Sequence, residues 1–410
     1  MSDDGVTKRG QVAVPDVYYP TSTACLRSLG RQGVPTLLLS HARSRPASAS
    51  TYCDEQLLVP DPTEDGAGYE RALVSLVENR NISTIIPVRE PDIYILSKHR
   101  DRFEEHTSLV VPSFDKLTTV HDKLELVQAA EAAGVPVPET QLLTDVTDWE
   151  RELVIKSRWS LLTKDYVNGY DRDGLTSVNA VNYHAPGEKP EYRSIEEQME
   201  HEPIVQEFVP NGGKYMFAAL YDRGEPLATF QHRQIRGKSW TGGGGVYRES
   251  TYDPDVEAVA RRLLDHLDWH GLACIEYLKH PKTGEFVLLE INPRMWWSLG
   301  ATVRMGADFP YNYWLHATGR TEAIDPEYDL GVRCHYLQGE LKYLASLFRG
   351  ESPLEERPAL AAAVWAVASS CLVEPRFDYL ERDDPYPFFQ NISNIGKRLS
   401  NLATDKITRT

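Results

Sequence analysis

Residues 272–294 read LACIEYLKHPKTGEFVLLEINPR. Two apolar runs, 272–278 and 285–291, flank a polar turn at 280–284, which is the pattern of two paired strands. Glu276 interrupts the first run, where a carboxylate costs free energy unless it is paired or metal-bound. Glu290 and Asn292 close the second run two positions apart, so an extended chain turns both side chains to one face. If the runs pair around the turn, Glu276 reaches that face as well. Three oxygen donors on two adjacent strands suit a hard cation such as Mg²⁺, with nucleotide phosphates completing its shell. Arg294 follows, a fork for a phosphate or a carboxylate. A hairpin with a solvated acidic edge is the plainer alternative for the same letters.

Other segments must bring complementary groups to this hairpin. Asp122 is placed to cap a helix over 123–133, which Gly134 ends and Pro136 and Pro138 keep from continuing. Lys123 opens that helix, where a positive charge opposes the helix dipole; it is either a solvated helix-start residue or a recruited one. Residues 152–156 form a strand ending in Lys156, a point charge suited to phosphate oxygens. The stretch 203–210, PIVQEFVP, is a strand running into a hinge through Glu207 and Val209. Strands at 215–220 and 227–235 follow, then the run QHRQIRGKSWTGGGG. There Arg233 and Arg236 stand near Gly242, Gly243, Gly244 and Gly245, which fit either a close backbone approach to a ligand or a mobile surface loop. A helix over 254–267, capped by Asp253, leads into the metal-strand candidate.

The N-terminal third alternates strands (12–14, 36–39, 56–59, 84–87 and 109–111) with helices (25–30, 69–78 and 91–99). That alternation predicts a parallel sheet covered by helices. No G-x-G-x-x-G follows the first strand, which argues against a dinucleotide site there. The loops 16–23 and Arg89–Glu90, at strand C-terminal ends, are candidate substrate contacts or ordinary surface loops.

Several of these motifs together resemble the ATP-grasp superfamily. They are E-x13-E-x-N-P-R at 276–294 running on into Trp296, Trp297 and Ser298, D-K-x9-A-G-V-P-x-P at 122–138, V-I-K at 154–156, and PIVQEFVP. The resemblance is to the carboxylate–amine ligase branch, which includes D-aspartate-ligase-like and carbamoyl-phosphate-synthase-like proteins. It implies an α/β chain, α+β in the nucleotide domain, with an N-terminal Rossmann-like parallel-sheet domain over 1–118. A small lid subdomain over 119–207, a large subdomain with the metal strands over 208–325 and a packing extension over 326–410 would follow.

The resemblance also assigns roles. Lys123 would contact the α-phosphate of ATP and Lys156 the α- and β-phosphates. Glu207 and the backbone through Val209 would meet the adenine edge. Glu276, Glu290 and Asn292 would hold Mg²⁺ or Mn²⁺. Arg294 and Arg233 would be catalytic, on the transferred phosphate or acyl-phosphate, with Ser298 and Arg304 near the acceptor. The implied reaction activates a small amino-acid-like carboxylate as an acyl-phosphate and passes it to an amine. A thiol acceptor, a bicarbonate substrate or a non-catalytic nucleotide-binding protein are the alternatives. Two departures from the family stand out. Residues 157–170 lack the usual glycines, so Arg158 and Lys164 are expected to cover the phosphates instead. Asn211, Gly212, Gly213 and Lys214 occupy the region where the family often places a ribose-binding acid.

Composition sets the frame. The chain has 410 residues and a formal charge of −16, which disfavours nucleic acid as a partner. Of its 44 basic residues 14 are lysines and the rest arginines, a bias that fits a halophilic source or high-GC coding. No apolar run approaches the roughly 20 residues of a membrane helix, and MSDDGVTKRG lacks a signal-peptide core, so a cytoplasmic protein is expected. The five cysteines form no C-x-x-C and indicate neither a disulfide framework nor a zinc site. A homodimer is the default assembly for such folds.

Overall fold

The structure, a computed structural model, describes residues 10–17, 20–178, 181–187, 189–348 and 357–395. Tyr18 and Tyr19 of the expected loop after the first strand lie outside them. The N-terminal sheet consists of β1 (Gln11–Pro15), β2 (Thr36–Ser40), β3 (Glu55–Leu58) and β4 (Ile82–Ile85). Its order is β3-β2-β1-β4 and every pair is parallel. The two central strands are buried from Val12 to Pro15 and from Thr36 to Ser40, with apolar middles, as a sheet covered on both faces requires. Helices Thr21–Arg31, Gly66–Asn79 and Glu90–Lys98 cover it. Residues 109–111 were expected to add a strand but make only an isolated bridge, Ser108 to Thr84. The Val110 N–H donates instead to the Tyr313 hydroxyl at 3.3 Å.

A second sheet, β5 (Thr140–Leu142), β6 (Leu153–Lys156), β7 (Val181–His184) and β8 (Ile204–Glu207), is antiparallel with order β5-β8-β6-β7. It has its own small core of Leu143, Trp149, Ile155, Ile195, Met199 and Val205.

The third sheet is the largest. Strands β9 (Lys214–Asp222), β10 (Glu225–Ser239), β11 (Gly242–Ser250), β12 (Gly271–Lys279), β13 (Phe286–Asn292) and β14 (Arg333–His335) pair antiparallel in the order β13-β12-β9-β10-β11-β14. One face buries Phe217, Ala219, Tyr221, Ala273, Ile275 and Tyr277 in the main core. The other face, through Met216, Ala218, Leu220, Leu272 and Cys274, joins the core beneath the N-terminal sheet. Helix Lys123–Ala132 starts at Asp122, whose carboxylate accepts the Leu124 N–H, and helix Pro254–His266 starts at Asp253 in the same manner. Both caps are those read from the sequence.

In the C-terminal extension, Ala359 caps helix Leu360–Val373. That helix packs through Ala363 and Val367, one turn apart, and leaves Trp365 74 % and Leu372 82 % exposed. An uncharged helix is therefore not a buried one here; a single stripe is covered.

Candidate active site

The hairpin β12–β13 sets Glu276 directly opposite Glu290 and Cys274 opposite Asn292. Strict alternation cannot produce this by itself. Phe286 and Leu288 point into the core, and Glu290 has the same parity as both. A register shift after Glu276 puts an extra residue, Leu289, into β13. Beyond this bulge Ile291 is the core residue, while Glu290 and Asn292 turn to the opposite face, beside Glu276. A bulge next to a functional side chain re-aims it in this way. The Asn292 amide donates to Glu290 Oε1 at 3.0 Å.

Three lysines converge on these acids from the second and third sheets and the capped helix. Lys123, Lys156 and Lys214 line one cleft of about 310 Å³ with Glu276 and Glu290. Burial lowers the Lys123 ammonium, and burial together with the Lys123 charge brings Lys156 down to about 8. Burial opposes the charge of Glu290, but Lys123, the Asn292 hydrogen bond, Lys214 and Lys156 together hold its carboxyl below the usual range. Lys214 ion-pairs with Glu276. Three ammonium groups gather around Glu276 and Glu290 in a concave space, with the third carboxylate, Glu207, out on the rim. That arrangement suits a polyphosphate chelating a divalent cation, so the donor set fits Mg²⁺ with a nucleotide. The cleft is also lined by apolar Val154, Val178, Phe208, Val209, Leu278 and Leu289, a surface suited to a flat base. Glu207 stands exposed on its rim.

Arg294 leaves the end of β13 and is held on three sides. It donates from Nε to Glu90 Oε1 at 2.7 Å, from Nη1 to the Met295 carbonyl at 2.9 Å and from Nη2 to Asn292 Oδ1 at 3.1 Å. Glu90 comes from the N-terminal unit, at the start of helix Glu90–Lys98, and also meets His121 Nε2 at 3.0 Å. Burial works against the Glu90 charge, but Arg294 and His121 outweigh it and bring its carboxyl down to about 2. Arg294 thus faces the metal-strand candidate with its guanidinium already oriented.

A second, smaller cavity shares Lys214 and Glu276 with the first and is walled by His232, Gln234, Gly244, Trp297 and Ser298. His232 Nε2 and Ser298 Oγ lie 3.0 Å apart. Burial, with Arg248 and Lys214 nearby, brings His232 down to about 3, so its imidazole is neutral. Of the tryptophan pair, Trp296 is buried against Phe309 and Trp297 forms cavity wall.

Several expected site residues are elsewhere. Arg233 alternates with His232 and Gln234 along β10, so when those face the cavity it faces away. It is half exposed and pairs with its cross-strand neighbour Glu249 at 2.6 Å. Arg236 pairs with Glu340 and Arg304 with Glu381. Arg158 is bound to Asp122, and Lys164 reaches Asp173 at 3.0 Å in the open. The segment meant to cover the phosphates instead plants Leu161, Leu162, Tyr166, Val167 and Tyr170 in the core of the N-terminal unit. Its apolar side chains, where the family has glycine, are the reason. Glu90, expected as a candidate substrate contact at the C-terminal end of a parallel strand, instead braces Arg294; His121, Lys214 and His232 line or brace the candidate site and were not singled out for it.

A parallel N-terminal sheet, a small antiparallel sheet and a large one gripping a lysine-and-carboxylate cleft constitute the ATP-grasp fold. Residues 34–111 match the family model described as PylC-like, N-terminal domain. The L-amino acid ligase from Bacillus licheniformis is similar in structure at 13 % identity, with a TM-score of 0.57, over 79 % of this chain and 78 % of that one. N5-carboxyaminoimidazole synthetase from Staphylococcus aureus complexed with ADP is similar at 13 % identity and a TM-score of 0.54, over 79 % and 80 % of the two chains. The biotin carboxylase–βγ-ATP complex from Campylobacter jejuni is similar at 14 % identity and 0.57, over 78 % and 74 %. Comparison with curated proteins finds no match.

Proposed function

We propose that this chain is an ATP-dependent carboxylate–amine ligase that activates a small amino-acid-like carboxylate as an acyl-phosphate and passes it to an amine. The observation that carries the reading is the convergence of Lys123, Lys156 and Lys214 on Glu276 and Glu290 in one cleft between two sheets. Its likeness in fold to a solved L-amino acid ligase supports the same chemistry. A divalent cation, when bound, would neutralise charge on the β- and γ-phosphates. Glu276, Glu290 and Asn292 are the residues that would hold it. Lys123 and Lys156 would bind the phosphates, and the apolar surface around Phe208 and Val209 the base. Arg294, braced by Glu90, would orient the substrate carboxylate for in-line attack on the γ-phosphorus. That attack forms a carbon–oxygen–phosphorus anhydride and releases ADP. The amine then adds to the acyl carbon, phosphate leaves, and the amine proton is lost to solvent or base. The amine would approach from the second cavity, beside Ser298 and Trp297.

The test is ADP formation with Mg·ATP and a panel of amino acids, with hydroxylamine added to trap acyl-phosphate as a hydroxamate. A carboxylate-dependent hydroxamate is expected. Glu290→Gln should lower ADP formation at least about 100-fold while the protein remains folded, since one oriented charge at a phosphoryl site is commonly worth that much. Full turnover by that variant overturns the metal assignment. Mg·ATP that raises Tm without ADP release under any amino acid overturns the ligase reading and leaves a nucleotide-binding protein.

A further inference from the structure

A second cluster of metal-ligating side chains lies far from the cleft. The hairpin β9–β10 turns through Arg223 and Gly224, both at positive φ (48° and 87°), a two-residue reversal that leaves Asp222 paired with Glu225 at its base. Asp222 Oδ1 lies 3.4 Å from His270 Nδ1 and 3.7 Å from His316 Nε2. His270 precedes β12, and His316 lies on helix Phe309–Ala317. One ligand atom from each of the three residues falls within 4.8 Å of the others.

Those separations exceed hydrogen-bond length. The two distances from Asp222, 3.4 and 3.7 Å, are close to the edge of a tetrahedron with metal bonds of 2.0–2.2 Å, which is about 3.3–3.6 Å. The tautomers agree. The Arg223 N–H donates to His270 Nδ1 at 3.3 Å, so that nitrogen carries a lone pair, which a cation beside Asp222 would take over from this hydrogen bond. His316 Nδ1 meets Thr321 Oγ1 at 2.9 Å. A proton held there leaves the lone pair on Nε2, again towards Asp222, which is the outer-sphere arrangement that orients a metal-bound histidine. The cavity beside these residues, about 320 Å³, also carries Arg100 and Arg223. Arg223 is 81 % exposed and free to swing outward when a cation arrives.

We propose that Asp222, His270 and His316 form a binding site for a zinc-class divalent cation, with its fourth position open to water or an outside donor. Two imidazoles and one carboxylate favour zinc over magnesium. Bound there, the ion would tie the β9–β10 turn, the entry to β12 and helix Phe309–Ala317 together. Six positions of β9 separate Asp222 from Met216, the partner of Glu276, so the site stands about 20 Å from the cleft. It is independent of the ligase reading.

The experiment is equilibrium dialysis of the chelator-treated full chain against zinc chloride, with Co²⁺ as a spectroscopic probe. One zinc per chain, the intense visible absorption of tetrahedral Co²⁺ and a zinc-dependent rise in Tm are expected. Asp222→Asn and His316→Ala should each lower zinc affinity at least tenfold and abolish the Co²⁺ band, with Tm in chelator unchanged. The isosteric Asp222→Asn keeps the test open if His316→Ala fails to fold. Zinc uptake equal in wild type and Asp222→Asn, or no uptake by wild type, overturns the proposal.

Discussion

Lys156 carries the sharpest consequence at the scale of single residues. In the free protein its ammonium is brought down to about 8 by burial and by Lys123. A polyphosphate beside it would stabilise the charged form and raise it again. Above pH 8, binding of Mg·ATP must therefore take up a proton, and affinity should fall with rising pH by up to about tenfold per unit. Titration calorimetry in buffers of different ionisation enthalpy reads that uptake, and Lys156→Met should remove it. Glu90 has the opposite sign. Its carboxyl is lowered from 4.5 to about 2, so its stabilising effect is complete above pH 4.5 and is lost as pH falls towards 2. The shift corresponds to about 3 kcal/mol. Urea unfolding should show Glu90→Gln less stable by about that amount at neutral pH, the gap to wild type narrowing steadily through the acid range. A constant gap would mean that Glu90 acts by shape rather than by charge.

The glycine run at the start of β11 shows how an element constrains the site. These residues pair with β10 as strand and are not a loose loop. A Cβ on Gly244 would stand 2.9 Å from two ring atoms of Trp297, which forms the wall of the second cavity and packs edge-on to Tyr336. Glycine here permits strand and indole to touch. Gly244→Ala should lower stability by about 1–3 kcal/mol, seen by thermal unfolding, because a close-packed ring has little room to retreat. If the proposed function holds, the substitution should also raise KM for the acceptor more than it lowers kcat, since the larger cleft is walled by Gly243 and not by Gly244.

Across the whole molecule, charge and the C-terminal strap matter most. An excess of 16 negative charges would repel a nucleotide at long range. Screening over roughly 8–10 Å confines that effect, so the lysines in the cleft decide binding at contact. Arg27, fully buried on the first helix, reaches across to the strap and donates from Nε to Asp384 Oδ2 at 2.8 Å and from Nη1 to Glu381 at 3.2 Å. Asp384 also accepts from Ser50 and from the Thr51 N–H. An exposed pair such as Arg102–Glu78 is worth at most about 1 kcal/mol, whereas stranding one partner of a buried pair costs about 3–5 kcal/mol. Asp384→Ala should therefore destabilise the chain by the larger amount in denaturant unfolding, and Arg102→Ala by almost nothing. The strap, in which sequence reading found nothing but packing, is a polar clasp on the N-terminal sheet.

Local pattern was enough for the parts of this chain that depend on neighbours in sequence. Caps at Asp122 and Asp253, the alternating N-terminal elements and the β12–β13 hairpin follow from spacing and side-chain type, whereas the roles expected of Lys123 and Lys156 came from the family resemblance. What a strand residue faces depends on its partner strands, which no local pattern encodes. Hence Arg233 turned out to lie on the far side of β10, and only a bulge at Leu289 brought Glu290 beside Glu276. Glu90 reached Arg294, Lys214 reached Glu276, and Asp222, His270 and His316 met because the fold closes segments that are distant along the chain. The apolar side chains of 161–170 likewise could be counted from the letters, but their destination in the N-terminal core was set by the surface left open to them.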